Sequence, residues 1–279
     1  MSSMQQIMEK YNSLRKSETK VADIILEHPE AAIHFSVSEL AEQAGVSDPT
    51  VIRFCRSLGF KGFQDFKIYL AQSIIPGIRN IHETVNQGEN VPDLVRKVFD
   101  ANTAAIQSTL GTLDFASIDE AIKELSNARR IMFFGLGNSA VVAKDAYHKF
   151  FRIGIPCEWF EDSHMAMMAA SIMKPEEVLV VISHSGSTTD IVDVLDVASK
   201  AGARSIAIVS HHKSPVSGKA DHTLCVASTE TEYRFEPMAS RIAQLSVIDV
   251  LSVGVSLLHS EVYIANLEKS RKALVRKRY

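Results

Sequence analysis

The feature that most constrains this chain is a series of short, almost wholly apolar runs in its C-terminal two-thirds. IMFFG (131–135), VLVVIS (178–183) and SIAIVS (205–210) alternate with amphipathic stretches. A strand with no polar alternation must be covered on both faces, which calls for a parallel sheet with helices packed on each side. IGIPCEW (153–159) and DHTLCVA (221–227) are weaker strand candidates, and helical stretches at about 93–110 and 117–127 precede the first strand. Residues 1–75, by contrast, contain no β-rich run and read as several short helices. Between the two regions, PGIRNIHETVNQGENVP (76–92) holds two prolines and two glycines, the composition of a linker. The expected chain is α/β: an all-α domain over 1–78, a linker over 79–92 and a three-layer αβα domain over 93–279.

Composition narrows the function classes. At 46% hydrophobic and 23% charged residues the chain is an ordinary globular one. A formal charge of −3 excludes a uniformly basic nucleic-acid coat while leaving room for a local basic surface. MSSMQQIMEKYNSLRK has no apolar core after its charges, so no signal peptide is expected. The stretch 242–258 is interrupted by Gln244, Ser246, Asp249, Ser252 and Ser256 and reads as an amphipathic helix, not a membrane span. Cys55, Cys157 and Cys225 form neither a disulfide framework nor a CxxC pair, and His211-His212 lacks partners at ligand spacing. The expectation is a cytoplasmic protein with no metal, no cofactor and no membrane partner.

The densest signal in the first domain is SVSELAEQAGVSDPTVIRFCRSLGF (36–60). Ser36 and Glu39 have capping-box spacing, and a helix over 37–44 ends at Gly45, which tolerates the left-handed turn. Ser47 is expected to cap a second helix, with Pro49 in its first turn. This is the layout of a helix-turn-helix. Val51, Phe54, Cys55 and Leu58 form one apolar stripe, leaving Pro49, Arg53, Arg56 and Ser57 opposite and Thr50 at the flank. Residues 18–50 carry seven acids against one base, whereas residues 51–79 carry five bases (Arg53, Arg56, Lys61, Lys67, Arg79) against one acid. Positive charge thus concentrates on and after the second helix, where DNA phosphates need it. The candidate DNA-contacting residues are Ser47, Pro49, Thr50, Arg53, Arg56, Ser57 and Lys61.

Two strand-to-helix turns carry the chemistry of the second domain. GLGNSA (135–140) satisfies G-x-G-x-x-A, which alone leaves three readings open: a dinucleotide site with Glu158 or Glu161 as the ribose carboxylate, a phosphate site, or a turn without ligand. The second turn, Ser183-His184-Ser185-Gly186-Ser187-Thr188-Thr189, offers five hydroxyls and a glycine, a nest suited to a phosphate monoester. Two such turns at the C-terminal ends of strands converge on the crevice of an open α/β sheet.

GLGNSA together with ISHSGSTTD resembles the SIS (sugar isomerase) phosphosugar-binding fold, and with the preceding helix-turn-helix nearly the whole chain resembles the RpiR family of transcriptional regulators. TVIRFCRSLGFKGFQDFKIYLAQS (50–73), HKFFRIGIP (148–156) and PMASRIAQLSVIDVL (237–251) are similar to its hexose-catabolism branch. The resemblance implies a DNA operator, a phosphosugar effector (2-keto-3-deoxy-6-phosphogluconate in that branch) and a homodimer, with a tetramer left open. It implies that Ser139 and Ser183 hold the effector while Ser185, Gly186 and Thr188 cradle its phosphate. Gly137, Asn138, His184, Ser187 and Arg241 complete the candidate effector set. SIS isomerases carry a glutamate in the helix after the last strand. Here Arg241 falls near that position, and a guanidinium stays protonated and cannot act as a base. No catalytic residue is therefore assigned, although Glu230, Glu232 and Glu236 lie nearby and an isomerase with an appended helical domain remains the alternative. His148 is expected to be partly buried on its helix. Met165, Met167, Met168 and Met173, with Ala166, Ala169 and Ala170, suggest an adaptable packed helix or an interface, and core packing is the reading expected.

Overall fold

The computed structural model describes residues 3–74, 88–227 and 238–275. Two compact units result: one comprises the described residues up to Ala101 together with Lys213–Pro215, and the other the remaining described residues, so that the helix Val91–Thr112 passes from the first into the second. The first contains helices α1 (Ser3–Lys10), α2 (Lys16–Glu27), α3 (Pro29–Ala32), α4 (Val37–Gln43), α5 (Asp48–Ser57) and α6 (Phe63–Ile74). Its core gathers Val21 and Ile25 of α2, Leu40 of α4, Val51 and Phe54 of α5, and Phe66 and Leu70 of α6. Phe54 meets Phe66 edge-on with ring centroids 5.6 Å apart. Lys67, counted among the basic residues beyond α5, is instead buried, its ammonium donating to the Phe35 carbonyl at 2.7 Å. Arg79 and residues 79–87 of the expected linker lie outside the described residues.

Helix α7 (Val91–Thr112) starts inside the stretch read as linker, with Pro92 in its first turn, where no amide hydrogen is needed. The second unit continues through α8 (Phe115–Asn127), β1 (Arg130–Gly135), α9 (Asn138–Ile153), β2 (Cys157–Phe160), α10 (Ser163–Ser171) and β3 (Glu177–Ser183). It ends with α11 (Thr189–Lys200), β4 (Arg204–Val209), β5 (His222–Cys225), α12 (Ala239–Leu258) and α13 (Ser260–Leu274). The strands form one parallel sheet in the order β2-β1-β3-β4-β5. Every residue of β3 is buried, as its unbroken apolar run requires. Helices α8, α9 and α12 cover one face of the sheet and α10 and α11 the other, giving the three layers.

Several local expectations change. Residues 153–155 are not extended. Ile153 ends α9, and Gly154, at φ 98°, stops the helix in the left-handed conformation, so β2 begins only at Cys157. On α10 the small residues Ala166 and Ala170 face inward at i, i+4, which turns Met165 and Met168 to the surface. Of these four methionines, Met173 is buried and Met167 partly so. His148 is exposed on α9. Helix α12 is long and apolar enough to cross a membrane by length and composition. Here its Ala239, Ala243, Val247, Leu251 and Val255 are seated in the sheet's core.

Arg130 ties three strands together at their starts, donating to Glu158 of β2 at 2.6 Å and to Glu177 of β3 at 2.7 Å. Burial pushes the Glu177 carboxyl up, but the Arg130 guanidinium and the Lys174 amide pull it further down, below its ordinary range. A carboxylate depressed in the folded state adds stability above its unfolded pKa and loses it as pH falls through the folded one. Melting temperature should therefore fall as pH drops below the ordinary glutamate range. Glu177→Gln should flatten that fall, as followed by circular dichroism, and an unchanged slope would assign the acid sensitivity elsewhere.

Candidate functional site

In the first unit, Ser36 accepts from the Glu39 amide at 3.1 Å while Glu39 accepts from the Ser36 amide at 2.7 Å, so the capping box forms in both directions. Gly45 takes φ 61°, and the Val46 amide returns to the Ala41 carbonyl, closing α4 and turning the chain into α5. The side chain of Ser47 does not cap a backbone amide. Its hydroxyl meets that of Thr50 at 3.1 Å. Thr50 is buried and accepts from the Arg53 guanidinium at 2.8 Å, so this residue orients an arginine and does not itself offer a surface to DNA. The hydroxyl of Ser57 donates back to the Phe54 carbonyl at 2.8 Å. Pro49, Arg53, Arg56, Ser57 and Lys61 are exposed, with Ser47 beside them. Gln6 and Lys10 of α1, which drew no notice in the sequence, donate to the Leu58 and Ser57 carbonyls and complete the C-terminal end of α5.

In the second unit the strand order places β1 and β3 side by side, with Gly135 paired to Ile182. Helix α9, leaving β1, packs on one face, and α11, leaving β3, packs on the other. This is the topological switch point, where the two connections diverge and open a crevice. Gly135 is required there, because a Cβ would come within 2.6 Å of the Ser139 carbonyl oxygen. Gly137, at φ 56°, precedes α9, and Asn138 and Ser139 form its first turn. Across the crevice, the buried Ser183 hydroxyl accepts from the Gly186 amide at 3.1 Å, and the Ser185 hydroxyl accepts from the Ser187 amide at 3.2 Å. Gly186 turns at φ 64°, and Thr188 leads into α11.

His184 is tied to Ser210 twice: the Ser210 amide donates to its carbonyl at 3.1 Å, and the Ser210 hydroxyl lies 3.0 Å from its Nδ1. The strand expected over 205–210 stops at Val209 as β4, which frees Ser210 for this role. Arg241 is half-buried in the first turn of α12. Glu158, one of the two acids available for a ribose, is instead held by Arg130. Burial pushes the Cys157 thiol up to about 11 and that of Cys55 higher still, so neither is a thiolate nucleophile near neutral pH. Among the described residues no three His, Cys, Asp or Glu side chains group as metal ligands would.

Residues 1–77 match the helix-turn-helix domain of the rpiR family and residues 124–254 match the SIS domain. The whole chain is 37% identical to the HTH-type transcriptional regulator HexR of Escherichia coli K12 and covers 96% of it. The chain belongs to the RpiR family. The HexR regulator of Pseudomonas aeruginosa is 38% identical to this RpiR-family chain over 99% of its length and 96% of that protein. Among solved structures, the Vibrio vulnificus NanR protein complexed with ManNAc-6P matches this RpiR-family fold with a TM-score of 0.88, covering both chains completely at 23% identity. The RpiR-family chain is thus a HexR-like, helix-turn-helix transcriptional regulator with a SIS domain.

Proposed function

We propose that this RpiR-family chain is a cytoplasmic regulator of sugar catabolism whose affinity for a DNA operator is set by a phosphosugar bound at the β1–β3 crevice. The observation that carries this is the pair of hydroxyl-rich turns, Gly137–Ser139 and Ser183–Thr188, converging at the switch point of a sheet whose chain also holds a helix-turn-helix. Ser139 and Ser183 hold the ligand, with Ser185, Gly186, Ser187 and Thr188 offering hydroxyls and amides to its phosphate, and Asn138 and His184 flanking. 2-Keto-3-deoxy-6-phosphogluconate is the candidate effector, its carboxylate suiting a guanidinium such as Arg241. NanR, a structural neighbour with a phosphosugar bound, and the HexR relatives support the reading. No turnover is part of it.

The regulator acts as a two-fold homodimer, which would place two α5 helices about one DNA turn apart. Exposed Val250, Val253 and Leu257 of α12 and Val262 and Ile264 of α13 supply apolar surface for self-association. Effector binding favours a dimer geometry that no longer matches the half-site spacing, and the response is bounded by the effector's differential affinity for the two states. Arg53, held by Thr50, reads a base, so Arg53→Ala should weaken specific binding by about 1–3 kcal/mol in a fluorescence-polarisation titration. Unchanged affinity would remove Arg53 from the contact.

Thermal unfolding against a panel of sugar phosphates and sugar-acid phosphates tests the effector assignment. A ligand at a hundred times its dissociation constant adds about 2.7 kcal/mol. Stabilisation by 2-keto-3-deoxy-6-phosphogluconate alone supports that effector. A different winner reassigns it, and a flat panel removes the phosphosugar site.

A further inference from the structure

The buried side of α12 is mostly apolar, with Ala239, Ala243, Val247, Ile248, Leu251 and Val255, but within it sits Gln244, only 2% exposed. The Nε2 of Gln244 is shut off from solvent and has no hydrogen-bond partner among the described residues. A donor buried this way has lost its water and gained no acceptor, so such groups mark places where something else completes the bond.

Contacts within the second unit fix where the Gln244 end of α12 lies. Helix α8 runs directly into β1, so its C-terminus sits at the edge of the sheet where the strands begin. His259, just past α12, bonds the Ser126 hydroxyl at that end at 2.8 Å, and Gly254 packs closely on Ile122 one turn earlier. Lys149 of α9 pairs with Asp249 at 2.5 Å, setting the middle of α12 beside α9. At 1.5 Å per residue, Gln244 lies about 22 Å along the axis from His259. The seven residues of β3 span about the same distance. Gln244 is therefore level with the finishing ends of the strands, on the same face as α9, whose first turn carries Ser139. Arg241 lies one turn further toward the helix start.

We propose that Gln244 is a further effector-contacting residue, whose side-chain amide hydrogen-bonds an oxygen on the part of the phosphosugar remote from its phosphate. The proposal rests on the phosphosugar reading of the crevice. The phosphate already has the Ser185–Thr188 turn. A neutral amide, donor and acceptor at once, fits a sugar hydroxyl or carbonyl, while Arg241 suits a charged oxygen. A sugar lacking an oxygen at that point leaves the amide unpaired, and a site built to satisfy a buried polar group rejects such analogues strongly. Gln244 thereby sets which phosphosugar the regulator answers.

The test compares the full-length protein with Gln244→Met, which keeps length and volume while removing the amide. Unliganded Gln244→Met should melt no lower than the parent, since an apolar side chain replaces a buried Nε2 donor that has no partner among the described residues. Its dissociation constant for 2-keto-3-deoxy-6-phosphogluconate, or for whichever phosphosugar stabilises the parent most, should rise at least tenfold by calorimetry. Inorganic phosphate, which occupies only the Ser185–Thr188 turn, should protect parent and variant equally. Gln244→Leu, measured the same way, serves if Gln244→Met folds poorly. Phosphosugar affinity within twofold of the parent in a folded variant overturns the proposal and leaves the crevice reading standing. A parent that binds no phosphosugar overturns both.

Discussion

Phe54→Ala should abolish operator binding by unfolding the surface that carries it. Phe54 is fully buried on α5, its ring edge-on to Phe66 of α6 within a core that also holds residues of α2 and α4. Removing a buried phenylalanine costs about 3–5 kcal/mol, and an aromatic pair adds to the transfer and cavity terms. Against a total stability of about 5–15 kcal/mol, that is a large share for a small helical unit. The neighbouring Cys55→Ala removes much less volume from the same core and should be tolerated better. The measurement is a DNA titration paired with thermal melts followed by circular dichroism. Phe54→Ala that melts like the parent and binds DNA within twofold would show that α5 is not positioned by this core.

Replacing both Ser139 and Ser183 by alanine should leave operator affinity near that of the parent and remove the effector response. Ser183 ends β3, and Ser139 lies in the first turn of α9, four residues past the end of the neighbouring β1, and alanine keeps the backbone geometry of each turn. The Ser183 hydroxyl also accepts from the Gly186 amide, so on the proposed reading its loss loosens the Ser185–Thr188 turn as well as deleting a ligand contact. Hydrogen bonds to a charged group are worth about 1.5–3 kcal/mol each. Two lost together predict a phosphosugar affinity at least a hundredfold weaker. Loss of operator binding along with the response would instead indicate that these serines serve the fold.

Much of this was legible in the sequence because the signals were physical. The unbroken apolar run from Val178 to Ile182 could only be a strand covered on both faces, and it is. Val51, Phe54, Cys55 and Leu58, spaced to share one side of a helix, are all buried. What pattern does not encode is which partner a polar group finds. Nothing local shows that Lys67 turns inward to the Phe35 carbonyl, or that the Thr50 hydroxyl is taken up by Arg53. The link between His184 and Ser210 joins the ends of two different strands, a tertiary contact that exists only once the sheet order is known. In sequence Gln244 is one polar interruption of an amphipathic helix, and only the burial of its Nε2 without a partner among the described residues distinguishes it from a solvated side chain.

The central claim, that a phosphosugar at the crevice governs DNA affinity, is tested most directly by one titration. The protein selects its preferred duplex from a random library, and affinity for that duplex is then measured by fluorescence polarisation with and without 2-keto-3-deoxy-6-phosphogluconate and a panel of other phosphosugars. The account predicts that one phosphosugar changes operator affinity severalfold or more, and that the Ser139/Ser183 double variant binds the duplex without responding. Tight, selective DNA binding that no phosphosugar alters would contradict it.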